Sequence, residues 1–286
     1  MKTKVFFIGM SKNCFESLKL NLEFLINFKK ISNIDMEICI IDSDSIDGTK
    51  EYCRELRNDN LINEFFEIDN LEEIYESRVE RLSICRNEGL KYLKSQHSNG
   101  ELIYIPMDMD ISLFEYLDFE ILENLILSLK NNIDGLFPYS SPYYYDIFAL
   151  RAENWVTENN VYLADLKKQK YKILSFFLNY KYIFKFQKKL NYFNTTLIRV
   201  RSAFGGMGIY KISSDNLRNL NYKVESNNKD SVSEHIFFNK FFKNLYVSQN
   251  WIIPAPKNYI IYNSSGMFQK IIYILKTIKT DFSFLK

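Results

Sequence analysis

The chain has 286 residues, of which 47% are hydrophobic and 25% are charged, so it can bury a sizeable core and is not a disordered tail. Its formal net charge is only +2, which argues against a protein whose main task is to coat nucleic acid, and we expect no nucleic-acid partner. With nine glycines and five prolines, the composition also excludes collagen-like and low-complexity proteins.

The first half of the chain alternates short apolar runs with longer amphipathic runs. The predicted strands are 4–9, 36–42, 64–68, 102–107 and 135–139, and the predicted helices are 14–30, 45–57, 77–94 and 115–130. This alternation indicates βαβ units and an α/β fold with a mostly parallel central sheet flanked by helices. Because ligands of such sheets bind beyond the carboxyl ends of the strands, we expect the chemistry where the second and fourth strands end.

The second half contains a basic, aromatic segment. Residues 166–214 hold nine lysines, two arginines and no acidic residue, and within 167–193 the lysines alternate with phenylalanines and tyrosines. Either these aromatic residues face an anionic membrane or a lipid-diphosphate acceptor, or the segment is a lid whose aromatic rings pack on the protein while its lysines stay in solvent. We expect a helical insertion over about 152–200 and an amphipathic helical tail at 256–286.

The cysteines and the hydropathy bear on the compartment. The four cysteines form no C-x-x-C pair and the chain has only two histidines, so we expect reduced thiols and no structural zinc site. No run of about 18 apolar residues occurs. We therefore expect a cytoplasmic protein, which the basic segment would hold at the inner face of the membrane if it contacts lipid.

The acidic pair after the fourth predicted strand is the most informative motif. Asp108 and Asp110 stand at i and i+2, so in extended backbone both carboxylates point the same way. They can share a divalent cation, Mn²⁺ or Mg²⁺, that neutralises a diphosphate leaving group. Taken alone, the pair is equally typical of a solvated strand end.

Two further polar groups lie near the same edge of the predicted sheet. Asp42, Asp44 and Asp47 follow the second strand, where they can accept hydrogen bonds from a base or ribose, or simply cap the next helix. Arg81 and Arg86 precede the fourth strand and can bind a phosphate, pair with an aspartate or stay solvated.

The order of these motifs resembles the GT-A class of nucleotide-sugar-dependent glycosyltransferases. The resemblance is carried by an N-terminal strand, the D-S-D-x-x-D-G-T turn at 42–49, the R-N pair at 86–87 and the D-M-D motif at 108–110. Residues 144–151, 204–210 and 233–235 look like the acceptor-side and closing motifs of bacterial and fungal members, including the CAP59-type mannosyltransferases. The resemblance covers about 1–255, the expected catalytic domain, whereas 152–200 matches no family motif.

The resemblance implies a set of site residues. Five would bind the nucleotide-sugar donor. Asp42 and Asp44 would lie near the nucleoside, and Arg81, Arg86 and Asn87 near the donor sugar or diphosphate. Three would hold Mn²⁺ or Mg²⁺: Asp108, Asp110 and His235. The motif at 42–44 departs from the family pattern, because it reads Asp-Ser-Asp where many relatives have Glu-Asn-Asp.

The resemblance also implies residues for the transfer itself. Gly205 and Gly206 would allow close approach of donor or acceptor, since they lack a Cβ, and Arg201 would help to hold the anomeric carbon. Glu234 or Asp146 would be the base of an inverting reaction. Alternatively, Glu234 and His235 only begin a capped surface helix, and Asp146 is a structural partner of Arg151.

The sequence therefore predicts a glycosyltransferase, with hexosyl transfer expected, that moves a sugar to a glycan or lipid-linked acceptor in bacterial surface polysaccharide assembly. One alternative is a haloacid-dehalogenase-type, Mg²⁺-dependent phosphatase, for which 42–44 or 108–110 would be the signature, although no downstream acidic pair follows a strand. The other is a non-catalytic module that binds nucleotide sugars.

Overall fold

The structure, a computed structural model, describes residues 3–97, 100–129, 132–170, 175–224, 232–256 and 259–260. Its strands are β1 Lys4–Ser11, β2 Met36–Ser43, β3 Glu64–Ile68, β4 Glu101–Asp108, β5 Gly135–Ser141, β6 Leu197–Val200, β7 Ile209–Ser213 and β8 Leu245–Pro254. Its helices are α1 Phe15–Ile31, α2 Thr49–Asn58, α3 Leu71–Ile74, α4 Arg78–Gln96, α5 Phe119–Ser128, α6 Asn160–Lys170, α7 Ser175–Tyr182, α8 Ser214–Leu217 and α9 Glu234–Asn239.

The strands form one sheet in the order β3-β2-β1-β4-β7-β5-β8-β6. β1, β2, β3 and β4 pair in parallel, as do β5 and β8, whereas β7 and β6 pair antiparallel to their neighbours. The register places Met10 beside Asp108 and Ser11 beside Asp42. The carboxyl ends of the first, second and fourth strands therefore meet at one edge of the sheet.

The sheet is covered on both faces, which explains why β1 is apolar without interruption. Val5 and Phe7 belong to a core that also holds apolar side chains of α1, α2 and α5, while Phe6 and Ile8 belong to the core on the other face, under α4 and α9. The alternation of neighbouring side chains between two buried layers is the period-2 pattern of a central strand.

The predicted α/β fold with its mostly parallel sheet is confirmed, and its first five strands lie at the predicted positions. The helix predicted to begin at 115 begins instead at Phe119, because the carboxylate of Asp118 accepts the Ile121 N–H at 2.8 Å and caps it. The strands β6, β7 and β8 were not predicted. The expected tail helix lies almost wholly outside the described residues.

The predicted insertion is helical, with α6, α7 and a 3₁₀ turn at Phe184–Phe186. Trp155 donates to the Phe186 carbonyl at 2.6 Å, and the Tyr139 hydroxyl on β5 donates to the carbonyls of Lys188 and Lys189 at 2.9 and 3.0 Å. The ammonium groups of Lys185 and Lys188 lie 4.7 and 4.5 Å from aromatic ring centres of the same segment. These contacts attach residues 186–189 to β5 and to Trp155, and the lid and the membrane contact both stay predictions.

All four cysteines are buried and unbonded to one another. In the described ranges, none of the helices combines the length and the apolar character that a bilayer crossing requires.

Gly89 sets the distance between α4 and the sheet, since a Cβ at this position would stand 2.6 Å from Cγ2 of Ile8 on β1. We expect Gly89→Ala to lower the free energy of unfolding in urea by about 1–3 kcal/mol, because overpacking outweighs the helix propensity that alanine gains. Lys91→Ala on the exposed face of α4 is the control and should change it by less than about 0.5 kcal/mol. A more stable Gly89→Ala protein would contradict the packing argument.

Candidate active site

Two adjoining cavities open at the carboxyl edge of the sheet, with volumes of about 630 and 320 Å³. The larger volume lies in the usual range of small-molecule sites, roughly 300–1,000 Å³. Four residues line both cavities: Arg78, Leu82, Asp108 and Asp110. The two aspartates therefore lie where the cavities meet.

The two cavities differ in the elements that form them. The smaller cavity lies beyond β1 and β2 and is lined by polar groups of their loops, including Ser11, Asn13 and Ser43, and by Arg81. The larger cavity lies on the other side of β4, against the start of α9, the loop after β5 and the helical insertion.

A buried arginine links three of the elements around the larger cavity. Arg86 on α4 is 1% exposed; its Nε donates to Glu234 Oε1 on α9 and its Nη2 to Asp108 Oδ1 on β4, each at 2.7 Å. The guanidinium carbon also lies 4.7 Å from the ring centre of Phe204 and 5.8 Å from that of Tyr222. Although burial alone would lower the pKa of Arg86, the two carboxylates raise it, so the group stays charged.

Asp110 has a different environment from Asp108. Its side chain is open to the cavity, but surrounding protein atoms and the charge of Asp108 raise its pKa to about 6, an effect that Arg78 partly offsets. Among the described residues no basic group lies within salt-bridge distance of Asp110. The pair thus consists of one carboxylate that shares the Arg86 guanidinium with Glu234 and one that has no salt-bridge partner among the described residues.

His235 is buried between aromatic rings at the start of α9. Its ring stacks on Phe204 at 3.6 Å and meets Tyr222 edge-on at 5.4 Å. Nε2 lies 3.4 Å from Glu234 Oε1 but out of alignment, and in the described structure neither ring nitrogen has a hydrogen-bond partner. Burial, and then the charge of Arg86, hold the pKa of His235 well below its usual value, so the imidazole is neutral.

Asp146 lines the larger cavity and is held by backbone donors. Its two carboxylate oxygens accept the N–H groups of Ala149 at 3.1 Å and Gly205 at 2.8 Å, and burial raises its pKa. Gly205 and Gly206 have φ of 72° and 91°, and a Cβ on Gly206 would stand 2.8 Å from Ile111. The glycines thus let the loop fold tightly onto β4, where the Gly206 carbonyl accepts the Asp108 N–H at 2.7 Å.

The D-S-D-x-x-D-G-T motif joins the loops that surround the smaller cavity. Asp42 is fully buried and accepts hydrogen bonds from the hydroxyls of Ser11 at 2.9 Å and Ser45 at 2.5 Å, and burial raises its pKa. Asp47 accepts the Phe15 N–H at 3.1 Å, and Asp44, at φ 59°, accepts the Glu72 N–H at 3.2 Å. Neither Asp42 nor Asp44 is among the residues that line the two cavities.

The other donor-side residues are placed differently from one another. Arg81 lines the smaller cavity and donates to the carbonyls of Tyr75 and Glu76. Asn87 instead clamps the backbone of Tyr222 by two hydrogen bonds of 2.9 and 2.8 Å and lines neither cavity. Arg201 is exposed, donates to the Thr157 carbonyl at 3.4 Å and lies outside both cavities.

Two side chains at the cavity junction suit a hard divalent cation. Mg²⁺ and similar ions are commonly bound by one or two carboxylates together with substrate phosphates, and Asp108 and Asp110 supply such a pair. In the described part of the chain no three Asp, Glu, His or Cys side chains are gathered closely enough to share an ion. His235 is therefore not assembled with the two aspartates.

One lining residue that we did not single out in the sequence is Arg78, which faces both cavities. With Leu82 and Arg86 it forms a stripe at i, i+4 and i+8 along α4, and this spacing can be read directly from the sequence. Arg81 and Arg86 are five residues apart and do not share one stripe of the helix, so that pair does not indicate Arg78.

Neither a protein-family model nor a curated protein matches the chain. Among solved structures, residues 1–349 of Staphylococcus aureus TarS share 15% identity, with 99% of this chain and 72% of that chain covered and a TM-score of 0.46. The mannosyltransferase PcManGT from Pyrobaculum calidifontis, solved with GDP-Man and Mn²⁺, shares 12% identity, with 91% and 59% covered and a TM-score of 0.44.

A third solved structure is glucosyl-3-phosphoglycerate synthase from Mycobacterium tuberculosis with Mn²⁺, UDP and glucosyl-3-phosphoglycerate. It shares 12% identity, with 98% of this chain and 79% of that chain covered and a TM-score of 0.42. The solved structures thus include nucleotide-sugar enzymes of the kind that the sequence resembles. At these identities and TM-scores, however, they carry neither their activity nor their ligands to this chain.

Removal of the buried guanidinium tests the linkage of α4, β4 and α9. Arg86→Met leaves Glu234, whose side chain is 3% exposed, without its cation, and we expect the free energy of unfolding to fall by about 3–5 kcal/mol. The double variant Arg86→Met, Glu234→Met buries no unpaired charge there and should recover part of that loss. A double variant no more stable than the single one, measured by chemical denaturation, would contradict the assignment.

Proposed function

We propose that this protein is a glycosyltransferase that uses a nucleotide-sugar donor and a divalent metal ion. The observation that carries the proposal is the position of Asp108 and Asp110 at the junction of two cavities, beyond the carboxyl end of a parallel strand and beside the buried Arg86–Glu234 pair. A sugar that moves from a donor in one cavity to an acceptor in the other would cross this junction.

The smaller cavity suits the nucleotide. Hydroxyl and amide groups of Ser11, Asn13 and Ser43 can bond a base or ribose, and Arg78 and Arg81 bring positive charge to the side where a diphosphate would meet the aspartates. Its position at the ends of β1 and β2 is where doubly wound sheets bind such ligands. The donor sugar would then project past Asp108 into the larger cavity.

A bound Mn²⁺ or Mg²⁺ would neutralise charge on the departing diphosphate, as a Lewis acid does for phosphoryl oxygens. Asp108 and Asp110 would hold it, with Arg86 fixing one carboxylate of the pair in place. Arg78, which lines both cavities, would add positive charge beside the same leaving group.

We propose Asp146 as the base for the acceptor hydroxyl in an inverting reaction. It lines the larger cavity, two backbone N–H groups orient its carboxylate, and its raised pKa favours uptake of a proton. Glu234, the other candidate, already accepts the Arg86 Nε–H on its Oε1 at 2.7 Å. In this proposal Glu234 positions the Arg86 guanidinium.

Other parts of the proposal rest on the sequence resemblance alone. They are transfer of a hexosyl unit, a place in bacterial surface polysaccharide assembly and a cytoplasmic location, with any contact to the inner membrane face made through the basic segment 167–193. A glycan or a lipid-linked glycan would be the acceptor.

Asp110→Asn tests the metal-binding role. Its amide cannot supply a charged ligand, so we expect nucleotide release from the donor to fall by at least about a hundredfold, while the free energy of unfolding does not fall. The assay measures release from UDP-GlcNAc and GDP-Man, among other donors, with Mn²⁺ present and after excess EDTA.

Asp59→Asn, an exposed aspartate at the end of α2, is the matched control and should keep full activity. EDTA should inhibit the parent protein, and Mn²⁺ should restore it but not the Asp110→Asn variant. Undiminished turnover by that variant, or by the parent in EDTA, would exclude metal-assisted transfer. Donor binding without any turnover would favour the non-catalytic module.

A pair of isosteric variants identifies the base. We expect Asp146→Asn to lower kcat by about a hundredfold or more without weakening donor binding, because general-base catalysis contributes roughly 10²–10⁴. Glu234→Gln keeps an oxygen for Arg86 and should retain much more activity. If Glu234→Gln abolishes the chemical step and Asp146→Asn does not, the two roles are reversed.

A further inference from the structure

The helical insertion forms one wall of the larger cavity. Val161 on α6, Asn179 on α7, and Ile183, Phe184 and Gln187 after α7 all line it. The other residues that line this cavity include Asp146 in the loop after β5 and Glu234 at the start of α9. The insertion is therefore part of the site and not an appendage on the far side of the fold.

Two amide oxygens in this wall have no hydrogen-bond partner in the described structure. Gln187 is 5% exposed, and its amide nitrogen donates to the carbonyls of Tyr145 at 3.4 Å and Tyr259 at 2.8 Å. Because both of those partners are acceptors, the amide can face them only with its nitrogen, which leaves its oxygen unpaired. Asn179 also has a buried, unpaired side-chain oxygen.

A buried acceptor without a donor lowers stability, by roughly 1–3 kcal/mol for each group, so a pair of them in a cavity wall indicates a ligand that donates hydrogen bonds. The surrounding wall is apolar and aromatic, through Val161, Ile183 and Phe184. Amide oxygens repel phosphate oxygens, which are acceptors as well. The ligand group at this wall is therefore not a phosphate, and because the wall is apolar and aromatic, a neutral hydroxyl group fits it better than a charged donor.

We propose that Asn179 and Gln187 form an acceptor subsite, in which their amide oxygens accept hydrogen bonds from hydroxyl groups of a neutral sugar ring. The inference rests on the proposed glycosyl transfer and narrows its acceptor. The unit that receives the sugar is an uncharged glycosyl ring, and any phosphate of a lipid-linked acceptor lies away from this wall. Asn179 and Gln187 would select the acceptor without taking part in donor cleavage.

The test uses methyl glycosides of common hexoses as neutral probes, with hexose 1-phosphates as anionic comparators. Asn179→Leu removes the amide oxygen and keeps a similar volume. We expect it to raise KM for the methyl glycoside by about tenfold, the loss of one buried hydrogen bond.

Two further variants separate recognition from misfolding. Asn179→Asp keeps an acceptor oxygen and should hold KM close to that of the parent protein, whereas Lys181→Ala, exposed on the same helix, should leave KM unchanged. A KM unchanged in Asn179→Leu, or a parent protein that uses hexose 1-phosphates in preference to methyl glycosides, would overturn the subsite.

Binding of the methyl glycosides is also measured directly by ligand-observed NMR, which needs no turnover. Binding that Asn179→Leu weakens by about tenfold supports the subsite even if no donor is cleaved, and in that case only the proposed function fails. Absence of methyl glycoside binding to the parent protein overturns the subsite, even if the protein cleaves a nucleotide sugar.

Discussion

The buried Arg86 guanidinium is the interaction on which the arrangement of the candidate site depends. It joins residues that are far apart in sequence, since Glu234 lies 148 positions and Asp108 22 positions from Arg86. A fully buried charge is tolerated only when it is paired and hydrogen-bonded, so α4, the end of β4 and the start of α9 are held in one geometry. The loop that carries Phe204 is added to this unit by ring stacking on both the guanidinium and His235.

This constraint gives the two aspartates of the D-M-D motif different properties. Asp108 shares the Arg86 guanidinium with Glu234, whereas Asp110 faces the cavity junction with its pKa raised to about 6 by the surrounding protein atoms and by the charge of Asp108. Similar residues placed in different environments can take different tasks. In our account Asp108 is the fixed member of the pair, and Asp110 is the member whose charge a bound cation would compensate.

Much of the first half of the fold is predictable, because short apolar runs for β1 to β5 alternate with amphipathic helical runs and are bounded by polar turns. The later strands are harder: β6 spans only Leu197–Val200 and pairs with β8, and β7 inserts antiparallel between β4 and β5. The motifs located Asp108, Asp110, Asp146, Glu234 and His235 around one cavity. The motifs did not show that the side chains of Asp42 and Asn87 form hydrogen bonds within the protein, or that Arg201 lies outside both cavities. Such contacts depend on loop geometry.

The central claim is that the acidic pair and a nucleoside diphosphate together hold one divalent cation. Titration of Mn²⁺ into the protein, followed by electron paramagnetic resonance, measures this with and without UDP or GDP. Two carboxylates alone supply few ligands, so we expect Mn²⁺ to bind at least about tenfold more tightly when the diphosphate is present. The same Mn²⁺ affinity with and without each nucleotide would contradict the account.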